Sequence, residues 1–242
     1  MHSGSIIRKA LVSHRMMTFA KVVSHQRFYA TAAHFLHQRM YLVKTPKLIQ
    51  RIFPQFIWRM PSKKPMLYLS FDDGPIPEVT PWVLEQLKAY QARATFFCVG
   101  DNIRKHPGIY KQLQEAGHAV GHHTFHHLNG WQEDNRAYLQ NVRKAAHLTK
   151  SSLFRPPYGR LKPRQAQILK RHYRIVMWDV LSGDFDPELS EEACLQNVLD
   201  HAESGSIIVF HDSLKAERKL RYVLPRVLEY FHKKGYNFAA IN

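Results

Sequence analysis

Cysteine is almost missing from this chain of 242 residues: there are two, Cys98 and Cys194, far apart and without metal-type spacing. That excludes a disulfide framework and a thiolate zinc site. Long apolar runs are missing too. No stretch reaches transmembrane length, and no apolar segment followed by a small-residue cleavage site marks a secretory leader, which places the chain in the cytoplasm by default. No Gly-rich phosphate loop follows the first predicted strand, so a nucleotide-binding open sheet has no support. Internal repeats and low-complexity tracts are lacking as well. Acidic residues are scarce, 19 against 35 basic ones, for a formal net charge of +16. Such a balance favours anionic partners or surfaces and says nothing of fold. With no nucleic-acid motif to accompany it, no nucleic-acid partner is expected.

The scarcity of acid is most extreme in residues 1–39. They hold six basic residues (Arg8, Lys9, Arg15, Lys21, Arg27, Arg39), five of the sixteen histidines, and no Asp or Glu. We expect a basic N-terminal extension here: a disordered tail, or sequence upstream of a true start at Met40. The composition also loosely matches a transit peptide. Residues 40–242 are long enough for one sizeable core and short for two, so a single domain is expected. Its first stretch, 41–54, mixes apolar and basic residues at near-helical spacing. It reads as a short helix that covers the bottom of a barrel or rests on an anionic membrane surface.

From Met66 on, short apolar runs alternate with amphipathic segments. Strands are predicted from Met66, over 94–99, 118–121, 152–154, 174–180, 206–210 and 236–241. Helices are predicted from the Thr80-Pro81 cap, from an Asp101 cap to Gly117, around Tyr138, Val142 and Ala145, over 161–172, from a Ser190 cap, and over 222–234. Seven strands separated by helices imply parallel pairing with right-handed crossovers, in an open sheet or a closed α/β barrel.

Chemistry-bearing side chains stand where these strands end. Asp72 and Asp73 follow the first, His122, His123 and His127 the third, Arg155 and Tyr158 the fourth, Asp184 and Phe185 the fifth, His211 and Asp212 the sixth. In parallel βα architectures those ends share one face, so the groups converge. His123 and His127 are four apart, a spacing that lets both face one metal if the segment turns helically. His122 and His126 are equally spaced, and spacing does not separate the pairs. Two imidazoles with an aspartate make a catalytic type of zinc site with an open position. The aromatics Trp131, Tyr158 and Phe185 lie near these ends, and Trp178, inside a strand, reads as core.

Phe71-Asp72-Asp73-Gly74-Pro75, His123-Thr124-Phe125-His126-His127, Arg155-Pro156-Pro157-Tyr158-Gly159, Asp184-Phe185 and Phe210-His211-Asp212 resemble, in this order, the motifs of the polysaccharide deacetylase (NodB homology) family. The resemblance runs from about Pro65 to the C-terminus. It implies a distorted (β/α) barrel of seven or eight strands, and metal-dependent removal of N-acetyl or O-acetyl groups from glycans such as chitooligosaccharide or peptidoglycan. It also implies Asp73, His123 and His127 as ligands of a divalent metal, Zn2+ foremost with Co2+ or Ni2+ as alternatives. Asp72 would be the general base and His211 the general acid. Arg155 would hold Asp72 through a bidentate contact, Asp184 would orient His211, and the Tyr158 backbone N–H would meet the oxyanion. Tyr158, Phe185 and Trp131 would contact the acetylated glycan. Two departures from the family pattern stand out: Leu181-Ser182-Gly183-Asp184-Phe185 lacks the first acid and the indole often found there, and His122 stands where Asn is common, which suggests a hydrogen bonder behind the metal ligands. The competing readings are an amidohydrolase for a small non-sugar amide and a catalytically inactive glycan-binding barrel.

Overall fold

Strand β1, Met66–Asp72, is the middle of the molecule, and its alternation explains why. Leu67, Leu69 and Phe71 point to one side, where they join the main core; Tyr68, Ser70 and Asp72 point to the other. The computed structural model describes residues 41–242. The expectations for residues 1–39 lie outside the described residues.

The chain continues through α2 (Thr80–Ala89), β2 (Thr95–Cys98), α3 (Gly100–Lys105), α4 (Pro107–Glu115), β3 (Ala119–His122), α5 (Asn135–Thr149) and β4 (Leu153–Phe154). Then come α6 (Pro163–Leu169), β5 (Arg174–Ile175), β6 (Val180–Leu181), α7 (Glu191–Leu199), β7 (Ile207–His211), α8 (Glu217–Lys233) and β8 (Asn237–Phe238), while a short helix α1, Lys47–Ile52, precedes β1. Every ladder between these strands is parallel, in the order β5-β4-β3-β2-β1-β7-β6, with β8 paired to the start of β1. The result is a curled parallel sheet with helices outside it, a distorted (β/α) barrel.

Three phenylalanines hold the sheet's centre. Phe71, Phe96 and Phe210 lie in register on adjacent strands, with ring centroids 4.9 and 5.9 Å apart. Against this ladder pack Val83 and Leu87 of α2, Cys194 and Val198 of α7, and Leu220, Val223, Leu224, Val227 and Leu228 of α8. Cys98 and Cys194 are both fully buried core residues. Inside the curl a smaller cluster of Phe97, Leu153, Val176 and Ile207 fills the space.

Four expectations are corrected here. The strand predicted over 174–180 is two short strands at opposite edges of the sheet, β5 and β6, which do not pair with each other. The preceding segment fills that gap: Ile57 donates to Ile175 O and accepts from Met177 N–H, while Thr45 donates to Asp179 O and Val43 O accepts from Leu181 N–H. The segments flanking the short helix thus make 43–60 a plug along the seam, while the helix itself, Lys47–Ile52, buries none of its residues and covers no part of the barrel. The helix expected from Asp101 to Gly117 is broken at Pro107, whose missing N–H and ring start a new helix, α4. Asp101 is not its cap: the residue lies inside α3 and pairs with Arg104 and Lys105. The last long helix starts at Glu217, five residues before the predicted start, and carries Pro225 within it.

Candidate active site

Asp72 is the last residue of β1 and stands in register beside His211, the last residue of β7. Its Oδ1 accepts from Arg155 Nη1 at 2.7 Å. The contact is single, not bidentate. Arg155 is fully buried and spends its other donors on Ser70 Oγ (2.8 Å), Met177 O (2.9 Å) and Val176 O (3.3 Å), with its guanidinium 4.1 Å from the Phe97 ring centroid. A guanidinium so fully satisfied is a rigid post, and it leaves Asp72 Oδ2 directed at the cavity, 3.9 Å from His123 Nε2.

Asp73, one residue on, leaves the strand with φ 85°. Asn102 Nδ2 donates to its carbonyl at 2.8 Å and fixes that turn. Gly74 must be glycine: a Cβ there would lie 2.0 Å from Asp212 Oδ2. Asp212 clamps the turn, accepting from Gly74 N–H (3.0 Å) and Thr80 Oγ1 (2.6 Å). Burial raises the Asp212 carboxyl to about 8, against the pull of those two donors.

His123 and His127 reach the same place by a route that is not helical. Thr124 and His127 have φ of 60° and 54°, and Asn141 Oδ1 of α5 accepts from both Phe125 N–H and His126 N–H. The geometry separates the two imidazole pairs. His123 Nε2 and His127 Nε2 approach Asp73 Oδ1 to 4.0 and 3.2 Å, whereas His126 faces solvent and His122 is sealed behind the site. His123 Nδ1–H donates to Arg155 O at 2.8 Å, so its Nε2 lone pair faces the cavity.

These three residues offer ligand atoms within 4.8 Å of one another. Asp73 Oδ1 is buried and takes no well-aligned hydrogen bond. An orphaned carboxylate oxygen between two imidazole nitrogens is the donor set of a divalent cation. The electrostatics agree. Burial drives His123 down to about 4, against the pull of Asp72, so the ring is neutral near pH 7. Burial pushes the Asp73 carboxyl up, but His127 and the surrounding imidazoles more than reverse this and leave it well below the usual range.

His211 faces this set. Asp184, buried, uses both oxygens on it: Oδ1 accepts from Nδ1–H and Oδ2 from the backbone N–H, each at 2.7 Å. Burial alone would depress His211; the Asp184 charge and hydrogen bond, with help from Asp73 and Asp72, raise it to about 9. The imidazole is therefore a cation near neutrality. Asp184 needs neither the extra acid nor the indole missing from its motif to reach His211.

The rim carries the aromatics. Tyr158 sits in a tight turn at φ 60°, its ring edge-on to His127 with centroids 4.8 Å apart. The amides after it, Gly159 and Arg160, close onto Pro156 and Pro157 carbonyls. Gly159, at φ 65°, lies over Trp178, whose ring a Cβ would meet at 2.6 Å, so the half-buried Trp178 supports the turn. Trp131 is exposed, tied by Nε1–H to Leu161 O with Arg160 over its ring. Phe185 packs edge-on to His211. Sequence reasoning missed Ser70, Asn102 and the clamp role of Asp212; Thr80, expected as the cap of α2, is instead its first residue, and its hydroxyl accepts from Ile76 N–H and donates to Asp212. Sequence reasoning placed His122 as a hydrogen bonder. Instead both its ring nitrogens lack partners, and the ring stacks on Phe154 and meets Tyr173 edge-on, with burial lowering it to about 3.

The polysaccharide deacetylase family model matches residues 59–174. A peptidoglycan-N-acetylglucosamine deacetylase of Bacillus cereus is 29% identical over 195 residues, 76% of this chain and 90% of that protein. A chitooligosaccharide deacetylase of Azorhizobium caulinodans is 35% identical over 162 residues, 64% of this chain and 77% of that protein. Among solved structures, a peptidoglycan N-acetylglucosamine deacetylase in complex with 4-naphthalen-1-yl-N-oxidanyl-benzamide superposes with a TM-score of 0.74 at 28% identity, covering 81% of this chain and 95% of that one.

Proposed function

Because this chain belongs to the polysaccharide deacetylase family, we propose that its cup hydrolyses the N-acetyl group of an N-acetylhexosamine polymer or oligomer, of the peptidoglycan or chitooligosaccharide kind its relatives are named for. The observation that carries the reading is that a carboxylate that can take a proton and an imidazolium that can give one end neighbouring strands in register, beside the Asp73, His123 and His127 set. Asp72 has a free Oδ2, held in place by Arg155; His211 is charged by Asp184.

Asp73, His123 and His127 would hold a divalent cation, for which the two imidazoles and one carboxylate suit Zn2+ best. Bound there, it supplies Lewis-acid activation of water and of the amide carbonyl near neutral pH. The chain's own residues do the rest. Asp72 Oδ2 removes the proton of the attacking water. The Tyr158 N–H serves as a donor to the developing oxyanion, a contribution of roughly 3 kcal/mol in comparable sites. His211 delivers a proton to the departing amine. Tyr158 and Trp131 on one side of the mouth and Phe185 on the other stack on sugar rings.

An inactive glycan-binding barrel would have no need of Asp184 to keep His211 protonated. A small-amide hydrolase would have no use for an aromatic rim as exposed as Trp131 and Tyr158. A mass-spectrometric screen of acetylated glycans and simple acetamides, with and without chelator, tests the reading. Acetyl loss of 42 mass units, about the mass of ketene, from hexosamine oligomers alone and only without chelator is the expected result. Loss from simple amides instead, or from none, overturns it. Among the described residues no helix is long and apolar enough to cross a membrane.

A further inference from the structure

Helix α1 buries none of its residues. Leu48 (67% exposed) and Ile52 (58%), one turn apart on the same stripe, and Phe53 (43%) at the helix end face solvent together. Three large apolar side chains grouped on one turn are a patch and not scattered surface. The platform under them is fixed. Thr45 N–H bonds Asp179 O, Gln50 Nε2 bonds Asp179 Oδ1 at 3.2 Å, Lys44 Nζ meets the same carboxylate at 2.8 Å, and Trp58 Nε1–H caps Phe53 O at 2.9 Å.

The charge around this patch has one sign. The first acidic residue of the whole sequence is Asp72, and twelve Lys or Arg precede it. Within the described part, Lys44 and Arg59 pair with Asp179 and Glu203, but Lys47, Arg51, Lys63 and Lys64 are exposed and meet no carboxylate among the described residues. Two copies brought together through such a face would set like charges against each other. A groove of about 440 Å³ leads from Ile49 and Phe53 past Phe56 to Trp131 and Gly159, beside Tyr158, so the patch and the mouth of the cup lie on one side of the barrel.

We propose that the α1 face, with Leu48, Ile52 and Phe53 inserted and Lys47, Arg51, Lys63 and Lys64 around them, docks on an anionic lipid bilayer and presents the cup's mouth to glycans at the membrane surface. Shallow insertion supplies the apolar part of binding, and each basic residue near an anionic surface contributes about fivefold in affinity.

The test is co-sedimentation of the full chain with phosphatidylcholine vesicles and with vesicles carrying about one-third phosphatidylglycerol, at low and high salt. The proposal expects binding to the anionic vesicles that weakens with salt, and at least about a tenfold loss of it in a Leu48→Glu/Ile52→Glu variant. That variant should keep its thermal stability and its hydrolysis of soluble oligomers, since neither residue touches the core or the cup. No binding, equal binding by the variant, or equal binding to the neutral vesicles overturns the proposal. A concentration-dependent dimer of the wild type that the variant abolishes, seen by light scattering, assigns the face to a second copy and overturns it too.

Discussion

Asp72 and Asp73 are chain neighbours with opposite tasks, and their contacts set them apart. Asp72 is locked by a buried guanidinium and keeps one oxygen free, while Asp73 turns out of the strand at φ 85° toward two imidazoles. A similar division governs the histidines: burial keeps His123 neutral, and Asp184 keeps His211 charged. The second arrangement gives a pH prediction. With His211 as general acid, activity should fall on the basic side as the ring deprotonates near 9. In Asp184→Asn the largest raising charge and its ionic hydrogen bond are gone and only Asp73 and Asp72 still oppose burial, so the basic limb should move down by about one to two pH units. A pH–rate profile of both proteins checks this; an unmoved limb would detach Asp184 from His211. Asp184 could be found in the sequence from its place after a strand, despite the departures around it. Asp212 could not be given its role, because its signal is the 2.0 Å approach to a Gly74 Cβ that only the fold creates.

The phenylalanine ladder and the Gly74 turn are where individual elements carry the site. Phe71 is fully buried between Phe96 and Phe210, one residue before Asp72. Phe71→Ala should cost about 3–5 kcal/mol of stability, read by denaturant unfolding. Gly74→Ala should have a different signature. The new methyl collides with the Asp212 carboxylate and displaces the turn that carries Asp73, so metal affinity should drop by an order of magnitude or more alongside a loss of about 1–3 kcal/mol. Competition with a metal indicator measures the first, and unaltered affinity would show that the clamp does not set the ligand's position. Strand ends were legible because side chains that cannot be buried alone follow apolar runs. The division of 174–181 into β5 and β6 was not, because it is imposed by residues 43–60, more than a hundred positions away, which pair with both halves.

Across the whole molecule the buried histidines, together with the raised Asp212 carboxyl whose contribution is lost as pH rises through about 8, shape the pH range of stability. His118, His122 and His123 have folded pKa values lowered to about 4, 3 and 4 by burial, so the unfolded chain binds more protons below about 6.5, and their contribution is lost as pH falls. His211 works the other way: its raised value gives stability that is complete below about 6.5 and lost as pH rises through about 9. The metal-free protein should therefore lose melting temperature toward both acid and base, measurable by calorimetry across the range. His122→Phe, which removes two unpartnered ring nitrogens between Phe154 and Tyr173, should flatten the acid side and add about 1 kcal/mol. Parallel strands with helical crossovers could be read from the order of elements, and the barrel in place of an open sheet from the family resemblance. The sealed position of His122 could not, since its spacing to His126 repeats that of the true facing pair.

One comparison bears on the central claim most directly: acetate released from an N-acetylglucosamine oligomer by the wild type and by Asp72→Asn, with bound metal measured on the same samples. If a cation held by Asp73, His123 and His127 works between Asp72 and His211, the variant should keep one equivalent of metal and lose at least about a hundredfold in turnover. Normal turnover in the metal-loaded variant would contradict the account.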